Sequence, residues 1–208
     1  MTTNSFDAKA ATWDDDPAKV ERAEMVARAI RTAIAFDPGC RMLEYGAGTG
    51  LVTQALRDFV GPVTMADTST GMREAMRAKI QAGAITDARV WDLDLATQPA
   101  PDERFDLIVT VLTLHHIEHI GPVLARFAEL LVDGGHLCVV DLDEEDGSFH
   151  GDHFEGHHGF QRAALASELE ATNFTSVNFQ DCHNLDRDGV KYPLFLATCR
   201  RGHSNHTV

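Results

Sequence analysis

The sequence predicts an α/β fold with a mainly parallel sheet. Apolar runs of strand length alternate with apolar residues at helical spacing along most of the chain. Acids and glycines stand where these runs end, as at Glu44 to Gly50 and at Asp67. After Asp106 the run to Val111 is apolar apart from Thr110, as expected of a strand covered on both faces.

The elements follow in order. Asp16-Pro17 supplies an N-cap and a first helical residue, and Ala23, Val26, Ala27, Ile30 and Ile34 recur at helical spacing until Asp37-Pro38-Gly39. Arg41 to Tyr45 is the first strand, and Leu51, Val52, Ala55, Leu56 and Phe59 form the next helical face. Val63 to Ala66 is a second strand. Thr68-Ser69-Thr70 then caps a helix with Met72, Ala75, Met76 and Ile80 on one side. Ala88 to Leu93 and Phe105 to Val111 are the third and fourth strands. Gly121-Pro122 opens a helix stopped by Asp133-Gly134-Gly135, and His136 to Leu142 is the fifth strand. After a polar stretch, Ala164, Leu165, Glu168 and Leu169 mark a helix ending near Asn173, a residue that tolerates left-handed backbone. Val177 to Gln180 and Tyr192 to Cys199 are late strands, separated by a loop over Asn184 to Gly189 that could be a hairpin-like connection.

A chain of 208 residues is most simply one domain and buries roughly 70% of its unfolded surface. The formal net charge of -14 repels phosphate backbones and anionic lipid, so neither nucleic acid nor membrane is expected as a partner. Met1 to Asp16 lacks the apolar core of a signal peptide, and no apolar run is long enough to span a bilayer. Cys40, Cys138, Cys182 and Cys199 are scattered without a CxxC pair, which predicts free thiols in a reducing cytoplasm. The oligomeric state is left open.

The chemistry concentrates at Met42-Leu43-Glu44-Tyr45-Gly46-Ala47-Gly48-Thr49-Gly50. Glycines there permit a sharp turn and a close ligand approach, and the first amides of the following helix face whatever lies above the turn. A nucleoside-containing cofactor at a strand end is the expected ligand. The dinucleotide fingerprint needs a sixth-position glycine where this chain has Leu51. Glu44, just ahead of the turn, suits a ligand carrying an ammonium rather than a pyrophosphate. Asp67 ends the second strand, where an acid can accept both hydroxyl protons of a ribose or can simply face a helix N-terminus. Asp94 follows the third strand and can accept from an adenine amine, with Asp92 as a competitor on the same strand face.

These segments resemble the class I S-adenosylmethionine-dependent methyltransferases, in particular small bacterial enzymes with one Rossmann-like domain. The matching pieces are the glycine motif, Ala66-Asp67-Thr68-Ser69-Thr70-Gly71-Met72, the span from Asp94 to Phe105-Asp106, and Leu131-Val132-Asp133-Gly134-Gly135-His136-Leu137. The resemblance covers about Phe6 to Arg200. It implies a seven-stranded, mainly parallel sheet with one antiparallel strand near the C-terminus and helices on both faces. A single domain over 1–200 would carry an N-terminal cap and helix (1–36) and a candidate substrate loop (143–159), ahead of a tail (201–208). S-adenosyl-L-methionine is the implied cofactor and a small molecule the implied methyl acceptor.

By the same resemblance, Glu44, Gly46, Ala47 and Gly48 surround the methionine moiety, and Asp67 holds the ribose. Thr68 and Met72 pack near the adenine, and Asp94 with Leu95 lines its amine edge. Asp94 is chosen over Asp92 because its distance from Phe105-Asp106 matches the family's spacing. Thr110 and Val111 fall beside the sulfonium. Trp13 resembles the segment that closes over the cofactor, although it could equally anchor the first helix.

Methyl transfer needs a base only when the acceptor must lose a proton. His115 and His116 are the candidate bases, with a purely structural role as the alternative. The stretch from Asp141 to Phe160 opens with five acids (Asp141, Asp143, Glu144, Glu145 and Asp146) and then carries His150, His153, His157 and His158. Their spacings match no standard ligand pattern, so no metal is expected, and the interspersed glycines suggest an acceptor-binding or lid loop. Two rival functions remain: a non-catalytic sensor of S-adenosylmethionine or S-adenosylhomocysteine, and an NAD(P)-dependent oxidoreductase. The latter is disfavoured by Leu51 and by the lack of a Tyr-x-x-x-Lys pair.

Overall fold

Met42, Leu43, Glu44 and Tyr45 are all buried, and alternate side chains of this short strand enter different cores. The computed structural model of the chain describes residues 6–35, 37–151 and 154–203. Seven strands form one sheet: β1 (Met42–Tyr45), β2 (Val63–Ala66), β3 (Ala88–Trp91), β4 (Phe105–Val111), β5 (Leu131–Leu142), β6 (Phe174–Arg187) and β7 (Val190–Arg201). Their spatial order is β3-β2-β1-β4-β5-β7-β6. Neighbours from β3 to β5 pair in parallel, and β7 runs antiparallel to both β5 and β6. This is the Rossmann-like sheet with one reversed strand that the sequence implies.

The helices are α1 (Pro17–Ala33), α2 (Leu51–Leu56), α3 (Thr70–Gln81), α4 (Ile120–Leu130) and α5 (Arg162–Ala171). Asp16 caps α1 by accepting from the Ala18 amide, and the Ser69 hydroxyl caps α3 by accepting from the Met72 amide. Apolar residues of α1, α2 and α3 join one core with Met42, Met65, Leu107 and Val109. Those of α4 and α5 join the other with Leu43, Ile108, Leu137 and Val139. Because β1 sits between β2 and β4, chain connections leave it in opposite directions, and a crevice opens at its carboxyl end.

Some boundaries differ from expectation. The stretch Asn184 to Gly189 is not a loop: pairing continues to Arg187↔Val190, closed by Asp188 and Gly189 at φ +54° and +81°. Asp-Gly with both residues left-handed is the tight hairpin turn whose twist suits paired strands. The fifth strand also begins earlier, because Leu131 pairs with Phe105 before a register shift brings His136 opposite Leu107. Arg200 and Arg201 belong to β7. Asp106 lies at the amino end of β4, where it accepts from the Arg41 amide and guanidinium and ties β4 to the start of β1, away from the crevice. No helix among the described residues is long and apolar enough to cross a membrane. The four cysteines are free.

Candidate active site

A cavity of about 1000 Å³ opens at the carboxyl ends of β1, β2 and β4. Its floor is the glycine turn. The amides of Gly46 and Ala47 both donate to the Ala66 carbonyl, at 2.8 and 3.0 Å, and bend the chain across β2. Gly46 has φ +72°, and a Cβ there would stand 2.1 Å from the Thr113 hydroxyl oxygen, so glycine is required by both strain and space. Gly48 has φ +56°, and a Cβ there would meet nothing within 4 Å. Its open side lies in the cavity.

Each carboxylate is placed by backbone amides. Glu44 is 2% exposed, and its Oε2 accepts from the Thr53 amide at 2.9 Å and the Thr53 hydroxyl at 2.5 Å. Burial pushes the Glu44 carboxyl up to about 7, against the opposing pull of these bonds. Asp67 accepts from the Gly48 amide and from the Ser69 amide, each at 2.8 Å, so it fastens the turn after β1 to the cap of α3. Burial raises its pKa as well. One lone pair on each Asp67 oxygen remains available to a ligand. Thr68 and Met72 line the same wall.

Asp94 lines the cavity, and its carboxylate accepts from the Ala96 amide at 2.9 Å and the Thr97 hydroxyl at 2.8 Å. Asp92 is drawn instead to Arg73, at 2.9 Å. Leu95 and Thr110 stand behind the lining rather than in it. Leu95 is fully buried, and its amide donates to the Tyr45 hydroxyl at 3.0 Å. Thr110 is buried within β4, and its hydroxyl has no hydrogen-bond partner. Val111 does line the cavity, as does Leu112, held at φ +50°.

The opposite side is aromatic. A 3-10 segment, Asp7–Asp15, brings Phe6 and Trp13 over the opening. It is fastened by Asp7, which accepts from the Ser69 hydroxyl at 2.5 Å and the Gly71 amide at 3.0 Å, and by Asp14, which accepts from the Thr49 hydroxyl at 2.5 Å. Trp13 also carries the Lys19 ammonium 4.1 Å from its ring centre.

Beneath this segment His115 and His116 lie on the turn Leu114–His116 after β4. His115 is 2% exposed, and its Nδ1 lies 2.6 Å from Oδ1 of the fully buried Asp141. The loop after β5 returns over this turn and brings Phe149, His150 and Phe154 into the lining. Phe154 stacks on His150 with ring centres 3.8 Å apart. Burial, helped by the neighbouring imidazole of His115, pushes both His116 and His150 down to about 4.

Two of the loop histidines named from the sequence stand outside the lining. The His157 amide donates to the His115 carbonyl at 2.7 Å, and its Nε2 lies 2.9 Å from the Ile117 carbonyl, so it braces the turn from behind. His158 Nδ1 faces Glu145 at 3.3 Å. His153 lies outside the described residues.

Residues 18–178 match the sequence profile of the family described as "Methyltransferase domain". The chain belongs to this methyltransferase-domain family. It is 33% identical over 143 residues to the biotin biosynthesis bifunctional protein of Bordetella avium, a match covering 67% of this chain and 30% of that protein. Against the ubiquinone/menaquinone biosynthesis C-methyltransferase of Stutzerimonas stutzeri the identity is 29% over 110 residues, covering 51% and 43%. The chain therefore spans less than half the length of these curated relatives.

Among solved structures, it is similar to the methyltransferase complexed with the Trm112 activator of Haloferax volcanii (TM-score 0.77, 17% identity, covering 98% of this chain and 100% of that one). It also resembles the N-methyltransferase NodS of Bradyrhizobium japonicum bound to S-adenosylhomocysteine (TM-score 0.68, 21% identity, covering 91% and 90%).

The NodS structure holds S-adenosylhomocysteine, and the cavity of the present chain has the features that S-adenosylmethionine asks for. The residues present fit it: Gly48 leaves space that a side chain would fill, and Asp67 stands beside that space with acceptor capacity to spare. Phe6, Phe149, Phe154 and Thr113 are lining residues that the linear sequence does not single out. Phe149 and Phe154 could have been noticed as the aromatic residues of an otherwise polar, glycine-rich stretch.

Proposed function

We propose that this methyltransferase transfers a methyl group from S-adenosylmethionine to a small molecule held between the glycine turn and the loop after β5. The carrying observation is the chamber itself. The cofactor floor built by Gly48 and Asp67 faces a wall of Phe6, Trp13, Phe149, Phe154 and three imidazoles within one cavity of about 1000 Å³. A concave space of this size with several aromatic lining residues suits a small acceptor. The net charge of -14 disfavours a polynucleotide.

When bound, S-adenosylmethionine supplies a methyl group on a positively charged sulfur. The chain's own task is to align the acceptor and exclude water. Glu44, Gly46, Ala47 and Gly48 are assigned to the methionine end, Asp67 to the ribose, and Thr68, Met72 and Asp94 to the adenine side. Val111 lies at the passage toward the acceptor. Phe6 and Trp13 close the chamber from above. His115 and His116 stand on the acceptor side, but an imidazole pushed down to about 4, as in His116, is a weak general base at neutral pH. The names of the relatives include C-methylation in quinone biosynthesis and N-methylation, so they do not select one acceptor atom.

Calorimetry with S-adenosylhomocysteine, S-adenosylmethionine and NAD tests the cofactor half. Binding of the first two without NAD is expected, and binding of NAD alone would overturn the assignment. Formation of S-adenosylhomocysteine with a panel of hydroxyl, amino, thiol and activated-carbon acceptors tests the transfer half. Cofactor binding with no turnover across that panel would favour a sensor.

A further inference from the structure

Neutral imidazole is a common ligand for borderline metal ions, and a site requires several ring nitrogens that converge with their lone pairs free. His115 and His116 come from the turn after β4, and His150 from the loop after β5. One ligand nitrogen from each lies within 4.8 Å of the others. A tetrahedral zinc site with bonds of about 2.0–2.1 Å needs nitrogens about 3.4 Å apart, so a closing movement of roughly 1 Å completes it.

The surroundings point the same way. Asp141 is fully buried and sits 2.6 Å from His115 Nδ1, which leaves Nε2 of that ring as the free donor atom. A carboxylate behind a histidine is the usual device for fixing the tautomer of a metal ligand. His150 Nε2 is buried with no hydrogen-bond partner, a costly condition that a bound cation removes. Phe154 stacked on His150 and Phe6 edge-on to His116 at 5.4 Å form apolar walls around the three rings. The loop carrying His150 is held close to the turn: a Cβ on Gly156 would come 2.2 Å from the His115 carbonyl oxygen.

We propose that His115, His116 and His150 bind one divalent transition-metal ion of the zinc type on the acceptor side of the cavity, with Asp141 orienting His115. An all-nitrogen donor set suits zinc, cobalt, nickel or iron rather than magnesium or calcium, which take oxygen ligands. Three protein ligands leave a position open, as in catalytic rather than structural zinc sites. Resting on the proposed methyl transfer, the ion's Lewis acidity would act on a hydroxyl or carboxyl oxygen of the acceptor. Metal binding itself depends on neither cofactor nor acceptor.

The test uses the full chain, stripped of metal by a chelator and titrated with Co2+ while its visible d–d absorption is followed, then displaced by Zn2+. One saturable equivalent with the intense band of a low-coordinate nitrogen site is expected. His116→Ala and His150→Ala should each weaken it by at least about tenfold, and Asp141→Asn by about 10- to 100-fold. Circular dichroism of each variant reports folding, and S-adenosylhomocysteine calorimetry on the wild-type chain tests the cofactor reading separately. No saturable band in the wild-type chain, or a band unchanged in folded His116→Ala and His150→Ala, overturns the proposal.

Discussion

Gly48→Ala separates a glycine needed by the fold from a glycine needed by the ligand. At φ +56° an L-residue is strained, at a cost of about 1–2 kcal/mol. No steric term adds to this, because the new methyl would meet no protein atom within 4 Å. For a domain of this size the melting temperature should fall by roughly 2–8 °C. If the cofactor lies against the turn, the same methyl intrudes on it. Overpacking costs about 1–3 kcal/mol, a loss of about 5- to 150-fold in affinity. The assay is calorimetry with S-adenosylhomocysteine beside thermal unfolding. Gly46→Ala provides the contrast, since its Cβ would collide with Thr113 at 2.1 Å and should damage the fold first. A folded Gly48→Ala chain binding with wild-type affinity would refute the placement of the cofactor on this turn.

Asp67→Ala removes the acceptor for the Gly48 and Ser69 amides as well as the proposed ribose contacts, so affinity for S-adenosylhomocysteine should fall by about 1–3 kcal/mol; calorimetry showing no change would place the ribose elsewhere. Glu44 has a folded pKa of about 7 against an ordinary 4.5. The folded state thus holds the proton more tightly, and Glu44 contributes stability that is complete below about 4.5 and lost as pH rises through about 7. That contribution is on the order of 3 kcal/mol, and denaturant melts from pH 4 to 8 should show the decline shrinking in Glu44→Gln. Asp7→Ala deprives the Ser69 hydroxyl and Gly71 amide of their partner. Faster proteolysis of the N-terminal segment and about tenfold weaker cofactor binding, roughly 1.4 kcal/mol, are expected, and unchanged values for both would show that this segment does not close the site.

The glycine-turn side of the cavity is legible in the sequence because its information is local. Glu44 to Gly50 is one strand end and one turn, and Asp67 repeats the arrangement at the end of the next parallel strand. Where backbone geometry dictates residue type, as at Gly46 and Gly48, a linear reading finds the position. Leu95 and Thr110 stand behind the lining. Both lie beside lining residues, and only the direction of the side chain and the partner of the amide separate a wall from its backing. The Asp188-Gly189 turn was available in the sequence but hidden by the polar residues of Asn184 to Arg187, which lie on a partly exposed strand pair.

The aromatic and histidine side of the cavity resists reading because no single segment builds it. His115 and His116 gain meaning only when parallel pairing of β4 with β5 sets Asp141 behind them and the following loop folds back. That return depends on contacts between main chains, such as the His157 amide on the His115 carbonyl, which leave little trace in residue type. Of the loop histidines named from the sequence, His157 and His158 brace the loop, while His150 reaches the cavity. Ligand spacing along a chain is informative when one helix or turn supplies the ligands. When a turn and a separate loop share them, spacing carries no such signal. The missing ligand pattern between Asp141 and Phe160 was therefore no argument against a metal, since two of the three imidazoles lie outside that segment.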